Sequence, residues 1–153
     1  MFTLRQTDPR LPIVKSLLAQ SDKLMTSLYP PASNHLDPPE TLASDNALFL
    51  SAYAGSELVG CGAVKLMDDD GSYGEVKRVF VIPAVRGSGI ATLIMRDLEA
   101  HLINRQVTVA RLETGIRQPE AISFYRKLGY IERGPFGAYR EDPLSLFMEK
   151  RVC

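Results

Sequence analysis

The sequence of 153 residues lacks the features that mark several large classes of protein. Its 18 basic and 18 acidic residues cancel, and no basic cluster suggests a nucleic-acid or anionic-membrane surface. No apolar run approaches the roughly 20 residues of a membrane-spanning helix, and the first five residues lack the apolar segment of a secretory signal. We therefore expect a cytoplasmic protein without a nucleic-acid or membrane partner.

Cysteine is also scarce, with only two residues in the chain. Cys61 lies in an apolar run that is typical of a buried strand, and Cys153 is the last residue. These two residues favour neither a disulfide framework nor a cysteine-based metal site. The acidic turn Asp68-Asp69-Asp70-Gly71 lacks the remaining ligands of a calcium loop, so we expect a solvated turn and no metal.

Apolar periodicity and turn residues predict a mixed order of helices and strands. The first predicted helix opens at Leu11-Pro12 and is broken by the segment from Leu28 to His35. The other predicted helices are Pro38 to Leu42, Gly89 to about Asn104, and Pro119 to Leu128. The predicted strands are Phe2 to Arg5, Ala47 to Tyr53, Leu58 to Leu66, Gly74 to Val81, Val107 to Glu113, Tyr130 to Arg133, and Leu144 to Arg151. This order predicts one α/β or α+β domain over residues 1–153, with helices on both faces of the sheet.

The most informative segment is a loop between a strand and a helix. The strand ends at Val81-Ile82-Pro83, and an apolar helix starts shortly afterwards. The first N–H groups of a helix have no intrahelical partner and lie at the positive end of its dipole, so they can bind a phosphate or pyrophosphate. Gly87 and Gly89 let the backbone approach such an anion, and Arg86 adds a fixed charge. The loop predicts a phosphate-bearing ligand.

The loop could belong to one of three kinds of phosphate-binding loop, or it could be a glycine-containing turn that binds no ligand. A kinase-type loop requires Gly-Lys-Ser/Thr, which is missing. A dinucleotide loop requires glycine or alanine where Thr92 stands, and a place in the first βαβ unit of a larger domain. The third pattern is Arg/Gln-x-x-Gly-x-Gly/Ala after a strand ending in Val-x-Pro, and Arg86, Gly89 and Ala91 fit it. This segment resembles the acetyl-CoA loop of the GNAT superfamily of N-acetyltransferases.

A second motif strengthens the resemblance. The segment from Gln118 to Tyr130, QPEAISFYRKLGY, is similar to the family pattern Asn-x-x-Ala-x-x-(Leu/Phe)-Tyr-x-x-x-Gly-(Phe/Tyr), with Gln118 in place of the usual asparagine. The resemblance covers nearly the whole chain. It implies a GNAT-like α/β fold, with a mixed, mostly antiparallel sheet of six to seven strands and about four flanking helices. Tyr29 to His35 and Gly134 to Ser145 look like a bacterial subgroup whose substrates are mostly unassigned.

The resemblance implies an acetyl-CoA site built largely from backbone groups, with no metal. Main-chain groups of Val79, Phe80 and Val81 would pair with the pantetheine arm. An exposed N–H near Val79 or Phe80 would polarise the acetyl carbonyl. The other expected cofactor contacts are Arg86, Gly87, Ser88, Gly89, Ile90, Ala91, Thr92, Gln118, Ala121 and Phe124.

Acetyl transfer to an amine benefits from a base for the amine proton. Glu75 is the predicted base, acting directly or through water, because several acetyltransferases of the superfamily carry a basic glutamate at the corresponding strand position. The alternative is that Glu75 only pairs with Lys77 or Arg78. Strand alternation places Glu75, Lys77, Val79 and Val81 on one face, unless a bulge intervenes.

The departing thiolate benefits from a proton, and Tyr125 is the predicted acid. Its place in the second motif carries this assignment, while the helical pattern shows only that its face points inward. A free tyrosine titrates near ~10, so it can donate at neutral pH. The alternative is a core tyrosine whose hydroxyl bonds to the backbone.

The acceptor site is expected between the front segment, Tyr29 to Leu42, and the tail, Tyr139 to Ser145. The expected substrate contacts are Tyr29, Ser33, Asn34, His35 and Glu113, although His35 is equally well explained as a loop hydrogen bonder, and surface pairing of Glu113 and Arg117 is the simpler interpretation. We predict direct acetyl transfer to a primary amine of a small or amino-acid-like molecule. The alternatives are a non-catalytic acyl-CoA-binding module and a protein N-terminal or lysine acetyltransferase. Similar proteins are often dimers, so a homodimer stays open.

Overall fold

Seven strands form one sheet in the order β1-β2-β3-β4-β5-β7-β6 in the computed structural model, which describes residues 1–153. Every neighbouring pair is antiparallel except β4 and β5, which are parallel. This arrangement confirms the predicted mixed, mostly antiparallel sheet. The strands are β1 Phe2–Gln6, β2 Ala47–Ala54, β3 Glu57–Met67, β4 Tyr73–Val81, β5 Val109–Gly115, β6 Ile131–Arg133 and β7 Ser145–Arg151.

Four helices flank the sheet: α1 Pro12–Leu28, α2 Pro39–Leu42, α3 Ile90–Asn104 and α4 Pro119–Lys127. Three of them have proline in the first turn, where its missing N–H costs nothing. Strand β5 begins two residues later than predicted, because the N–H of Val107 bonds to the carbonyl of Leu102 at 2.9 Å and closes the end of α3. None of the helices combines the length and apolar character needed to cross a bilayer.

The apolar core lies on both faces of the sheet, as predicted. Helix α3 buries Ile94, Met95 and Leu98 against one face. Helix α1 buries its apolar side chains against the other face, where Cys61 is fully buried. Burial raises the pKa of the Cys61 thiol to about 12, so this thiol is a core side chain.

Strands β4 and β5 pair over only two positions, Gly74 with Ala110 and Glu75 with Arg111. Gly74 must lack a side chain here, because an added Cβ would lie 2.3 Å from Leu102 Cδ2 of α3. Beyond these pairs the two strands no longer hydrogen-bond to each other. The sheet therefore opens at the carboxyl ends of β4 and β5.

A bulge in β4 changes which side chains share a face. Ala63 opposes Lys77 and Cys61 opposes Phe80, so two residues of β4 face the single Gly62 of β3. Arg78 sits in this bulge with a left-handed φ of 58°. Val79 and Val81 consequently pack on the α3 face, and Phe80 on the α1 face. The bulge that the predicted alternation allowed for is therefore present, and Val79 and Val81 do not share a face with Glu75 and Lys77.

Candidate active site

A cleft of about 710 Å³ lies where β4 and β5 separate. Its walls are the end of α1, the carboxyl half of β4, the loop before α3, and α4. Ser88 is the only expected cofactor contact that does not line it, because its hydroxyl turns back to the carbonyl of Val85. The expected contacts that do line it are Val79, Phe80, Val81, Arg86, Gly87, Gly89, Ile90, Ala91, Thr92, Gln118, Ala121 and Phe124.

The loop at one end of the cleft has the backbone geometry that anion binding requires. Gly87 and Gly89 have φ values of 80° and 91°, and a Cβ added to either would meet no atom within 4 Å. No side chain caps α3, so the N–H groups of its first turn are available to a ligand. Arg86 donates from Nε to the carbonyl of Val81 at 2.9 Å, which holds the arginine beside the cleft.

A smaller chamber of about 140 Å³ continues the cleft inward. The two cavities share Gln118, Ala121 and Tyr125 on the α4 side, and Val79 on the β4 side. All the expected substrate contacts line this chamber: Tyr29, Ser33, Asn34, His35 and Glu113. The structure thus brings the predicted acceptor residues to the inner end of the predicted cofactor cleft.

Glu113 lies in the chamber and not in the surface ion pair with Arg117 that the sequence suggested. Burial raises the pKa of its carboxyl group, although the Ser145 hydroxyl and the positive charge of His35 act in the opposite direction. It forms no ion pair with Arg117, so the expected surface pair is wrong. Arg117 instead lies over the Tyr29 ring, 6.0 Å from its centroid, and bonds to the carbonyl of Leu28.

Tyr125 lies at the junction of the two cavities on α4. Burial raises the pKa of its hydroxyl, and the negative charge of Glu113 raises it further. The ring packs against Phe124 and Tyr130, with centroids 5.3 and 5.8 Å away. Tyr125 therefore stays protonated at neutral pH and can donate a proton at the junction.

Glu75 is not brought to the chamber wall. Its Oε2 accepts a hydrogen bond of 2.5 Å from the Tyr139 hydroxyl and one of 3.2 Å from Lys77 Nζ, so the alternative pairing with Lys77 does form. Lys77 also pairs with Asp37 at 2.9 Å. Glu75 lines a separate outer groove of about 550 Å³, and only His35 and Lys77 line both that groove and the chamber.

Two bridging interactions carried no signal in the sequence. The first is the addition of Asp37 and Tyr139 to the expected pair of Glu75 and Lys77, which joins residues far apart in the chain. The second is Tyr29, whose hydroxyl donates to Gln118 Oε1 at 3.2 Å. No local pattern relates position 29 to position 118, because the two residues are 89 positions apart and meet only in the folded chain.

Comparison with known proteins places the chain in a family. Residues 18–130 match the model described as the acetyltransferase (GNAT) family. The sequence is 43% identical over 148 residues to the IAA acetyltransferase of Azospirillum brasilense, which covers 97% of this chain and 96% of that protein. The fold, the cleft and this match define an acyltransferase enzyme. The chain belongs to the GNAT family of acetyltransferases.

Solved structures agree over the whole chain. A candidate acyl-CoA N-acyltransferase from Klebsiella pneumoniae superposes with a TM-score of 0.83 at 34% identity, covering 100% of this chain and 99% of that one. The PaiA N-acetyltransferase of Thermoplasma acidophilum, solved in complex with coenzyme A, gives 0.78 at 19% identity and covers 99% of both chains. The second likeness shows a shared fold.

Proposed function

We propose that this protein transfers the acetyl group of acetyl-CoA directly to a primary amine of a small molecule. The observation that carries the proposal is the continuity of the 710 Å³ cleft with the 140 Å³ chamber. A donor whose pyrophosphate lies on the loop Arg86 to Thr92 would extend along the bulged part of β4. Its acetyl group would then reach the junction that Tyr125 lines.

The charges of the chamber support an amine as the acceptor. Apart from His35, three charged side chains line it, and two of them are neutralised: Lys77 by Asp37 and Glu75, and Arg78 by Asp22. Glu113 has no opposite charge in an ion pair, so it offers an ammonium group a complementary partner. Because burial raises the pKa of Glu113, its carboxylate is also a better base than an exposed one.

Proton transfer then divides between two residues of the site. Glu113 takes one proton from the acceptor ammonium, and the neutral amine attacks the thioester carbonyl. Tyr125 then gives a proton to the departing thiolate and recovers one from the nitrogen of the tetrahedral intermediate, so that the C–S bond breaks as the amide forms. A backbone N–H at the β4 bulge, near Val79 or Phe80, stabilises the charge on the carbonyl oxygen. Glu75 is the second candidate for the base, acting through Tyr139, His35 or a water molecule, because it lies outside the chamber.

The size of the chamber favours a small acceptor over a protein. A volume of about 140 Å³ accommodates a short amine, and His35 of the front segment lines it. His35 packs edge-on against the Tyr139 ring with centroids 5.1 Å apart, so the front segment and the tail are in contact beside the chamber.

A panel of small amines and amino acids tests the proposal by thiol release from acetyl-CoA, with mass spectrometry of the acetylated product. We expect one chemical group of acceptors to give steady turnover. Tyr125→Phe should bind coenzyme A with unchanged affinity and turn over at least tenfold more slowly, because it keeps the ring and loses the proton donor. Coenzyme A binding without turnover on any amine would instead support a non-catalytic binding module.

A further inference from the structure

Tyr29 occupies an unusual position between the acceptor chamber and the cofactor cleft. Its side chain is 6% exposed, although it lies in the loop that follows α1. The hydroxyl fills the space beside Gly115 at the end of β5, where an added Cβ would lie 1.9 Å from the hydroxyl oxygen. Gly115 therefore lets Tyr29 reach the start of α4.

The hydroxyl makes two hydrogen bonds that fix the direction of its proton. It accepts the backbone N–H of Arg117 at 3.1 Å and donates to Gln118 Oε1 at 3.2 Å. Because the carbonyl end of the Gln118 amide is bound to Tyr29, its NH₂ end faces away from Tyr29. Gln118 lines both cavities, so this NH₂ group is held at their junction.

We infer that Tyr29 is a positioning residue that orients the Gln118 amide as a hydrogen-bond donor to the acyl-CoA arm. This inference rests on the proposed function. The glutamine side chain has one more rotatable bond than asparagine, so its amide samples more orientations when it is free. The bond to Tyr29 selects one of them before the ligand arrives, which lowers the entropic cost of binding.

Substitutions at Gln118 and Tyr29 test separately whether the Gln118 NH₂ group donates to the ligand and whether Tyr29 orients it. Gln118→Glu keeps an oxygen that can accept from Tyr29, and it removes the NH₂ donor. Gln118→Ala removes both. Tyr29→Phe removes the hydroxyl that orients the amide and that accepts the Arg117 N–H. Tyr53→Phe is the matched control, because Tyr53 lies on β2 and lines neither cavity.

Isothermal titration with coenzyme A measures the outcome without requiring turnover. We expect Tyr29→Phe and Gln118→Glu each to raise the Kd by about threefold to tenfold, as for loss of one hydrogen bond, and Tyr53→Phe to leave it unchanged. In the Gln118→Ala background, Tyr29→Phe should add less than twofold, because Tyr29 acts through that amide.

Three results would overturn the inference. The first is an unchanged Kd in Tyr29→Phe. The second is that Tyr29→Phe raises the Kd by the same factor in the parental protein and in Gln118→Ala. The third is a Tyr29→Phe protein that does not fold, which would assign the hydroxyl to stability. An unchanged Kd in Gln118→Glu would remove the donor role of the amide. Failure of the proposed function is a separate result, since the parental protein would then bind coenzyme A without acetylating any amine.

Discussion

The hydroxyl of Tyr139 donates a hydrogen bond of 2.5 Å to Oε2 of Glu75, a residue 64 positions earlier in the chain. The same oxygen accepts from Lys77, which also bonds to the Tyr139 hydroxyl at 3.1 Å. This triangle fixes the tail of the protein to β4. It also occupies Glu75, so the chamber itself contains only one carboxylate, that of Glu113.

Replacing the two carboxylates separately distinguishes the base from the supporting residue. Glu113→Gln should lower kcat by roughly 100-fold to 10,000-fold, the usual contribution of a general base, with little change in coenzyme A affinity. Glu75→Gln should lower kcat less and lower stability more, because it weakens a buried charge cluster. Initial rates over a pH series, normalised to folded protein, measure kcat, and melting curves of the two variants measure stability. The reverse order of effects on kcat would make Glu75 the base.

The stability of Glu113→Gln relative to the parent should increase as the pH rises. Burial raises the pKa of Glu113 above its unfolded value, so its stabilising contribution is present at low pH and is lost as the pH rises through the folded value. Glutamine shows no such loss. Melting curves should therefore show that the stability of Glu113→Gln relative to the parent is greater near about pH 8 than near about pH 4. A variant that loses stability relative to the parent between these two pH values would contradict the raised pKa.

Acetyl-CoA should stabilise the folded protein against heat. A ligand that binds only the folded state adds RT ln(1 + [L]/Kd), which is roughly 2.7 kcal/mol at a hundredfold excess over Kd. NAD, NADP and ATP should give smaller shifts, because the loop alone provides only a generic phosphate site. Differential scanning fluorimetry over a concentration series makes the comparison. A shift by ATP or NAD without one by acetyl-CoA would exclude the proposed donor.

Gly89→Val should reduce cofactor affinity more than stability. The φ of 91° at Gly89 is costly for a β-branched residue, and the added side chain would enter the space above the loop. Gly55→Val is a matched control, since Gly55 has a φ of 63°, also has open space around it, and lies in the β2–β3 turn. Both variants should lose stability by about 1–2 kcal/mol, and only Gly89→Val should weaken coenzyme A binding, by tenfold or more. Equal affinities would remove the loop from the site.

Tyr139→Phe should destabilise the protein and weaken acceptor binding. The change removes one hydrogen bond from a buried carboxylate, which typically costs about 1.5–3 kcal/mol. The ring that packs against His35 remains, but the hydrogen bond that fixes this ring to Glu75 is lost, so His35 should be held less firmly in the chamber wall. Urea unfolding gives the stability, and the KM for the acceptor gives the effect on the wall. An unchanged KM would restrict Tyr139 to a structural role.

The order and approximate bounds of all the strands and longer helices could be predicted from the sequence. Their apolar periods are clear, and proline or glycine stands at several ends, as at Pro119 and Gly129. The shape of β4 could not be derived in the same way. The bulge at Arg78 depends on its register with β3, and no residue type in EVKRVFV specifies a left-handed φ at that position.

Some parts of the site could be predicted from the sequence and others could not. The loop from Arg86 to Thr92 is a continuous segment, so the spacing of its residues predicts a phosphate-binding loop. The environment of Glu113 depends on β7, α1 and the front segment, which meet only in the folded chain. The short distance between Glu113 and Arg117 in the sequence suggested an ion pair, and it could not indicate that the fold keeps the two side chains apart.

The brevity of the parallel pairing between β4 and β5 has a consequence for how the molecule moves. Two half-sheets meet where Gly74 and Glu75 of β4 pair with Ala110 and Arg111 of β5, and beyond these positions the two strands are not paired with each other. Amide hydrogen exchange should therefore be slow at the meeting point and faster toward Val81 and Gly115. A ligand lying in the cleft would contact both strands where they do not pair with each other. Its binding should therefore slow amide hydrogen exchange along the facing edges of both β4 and β5.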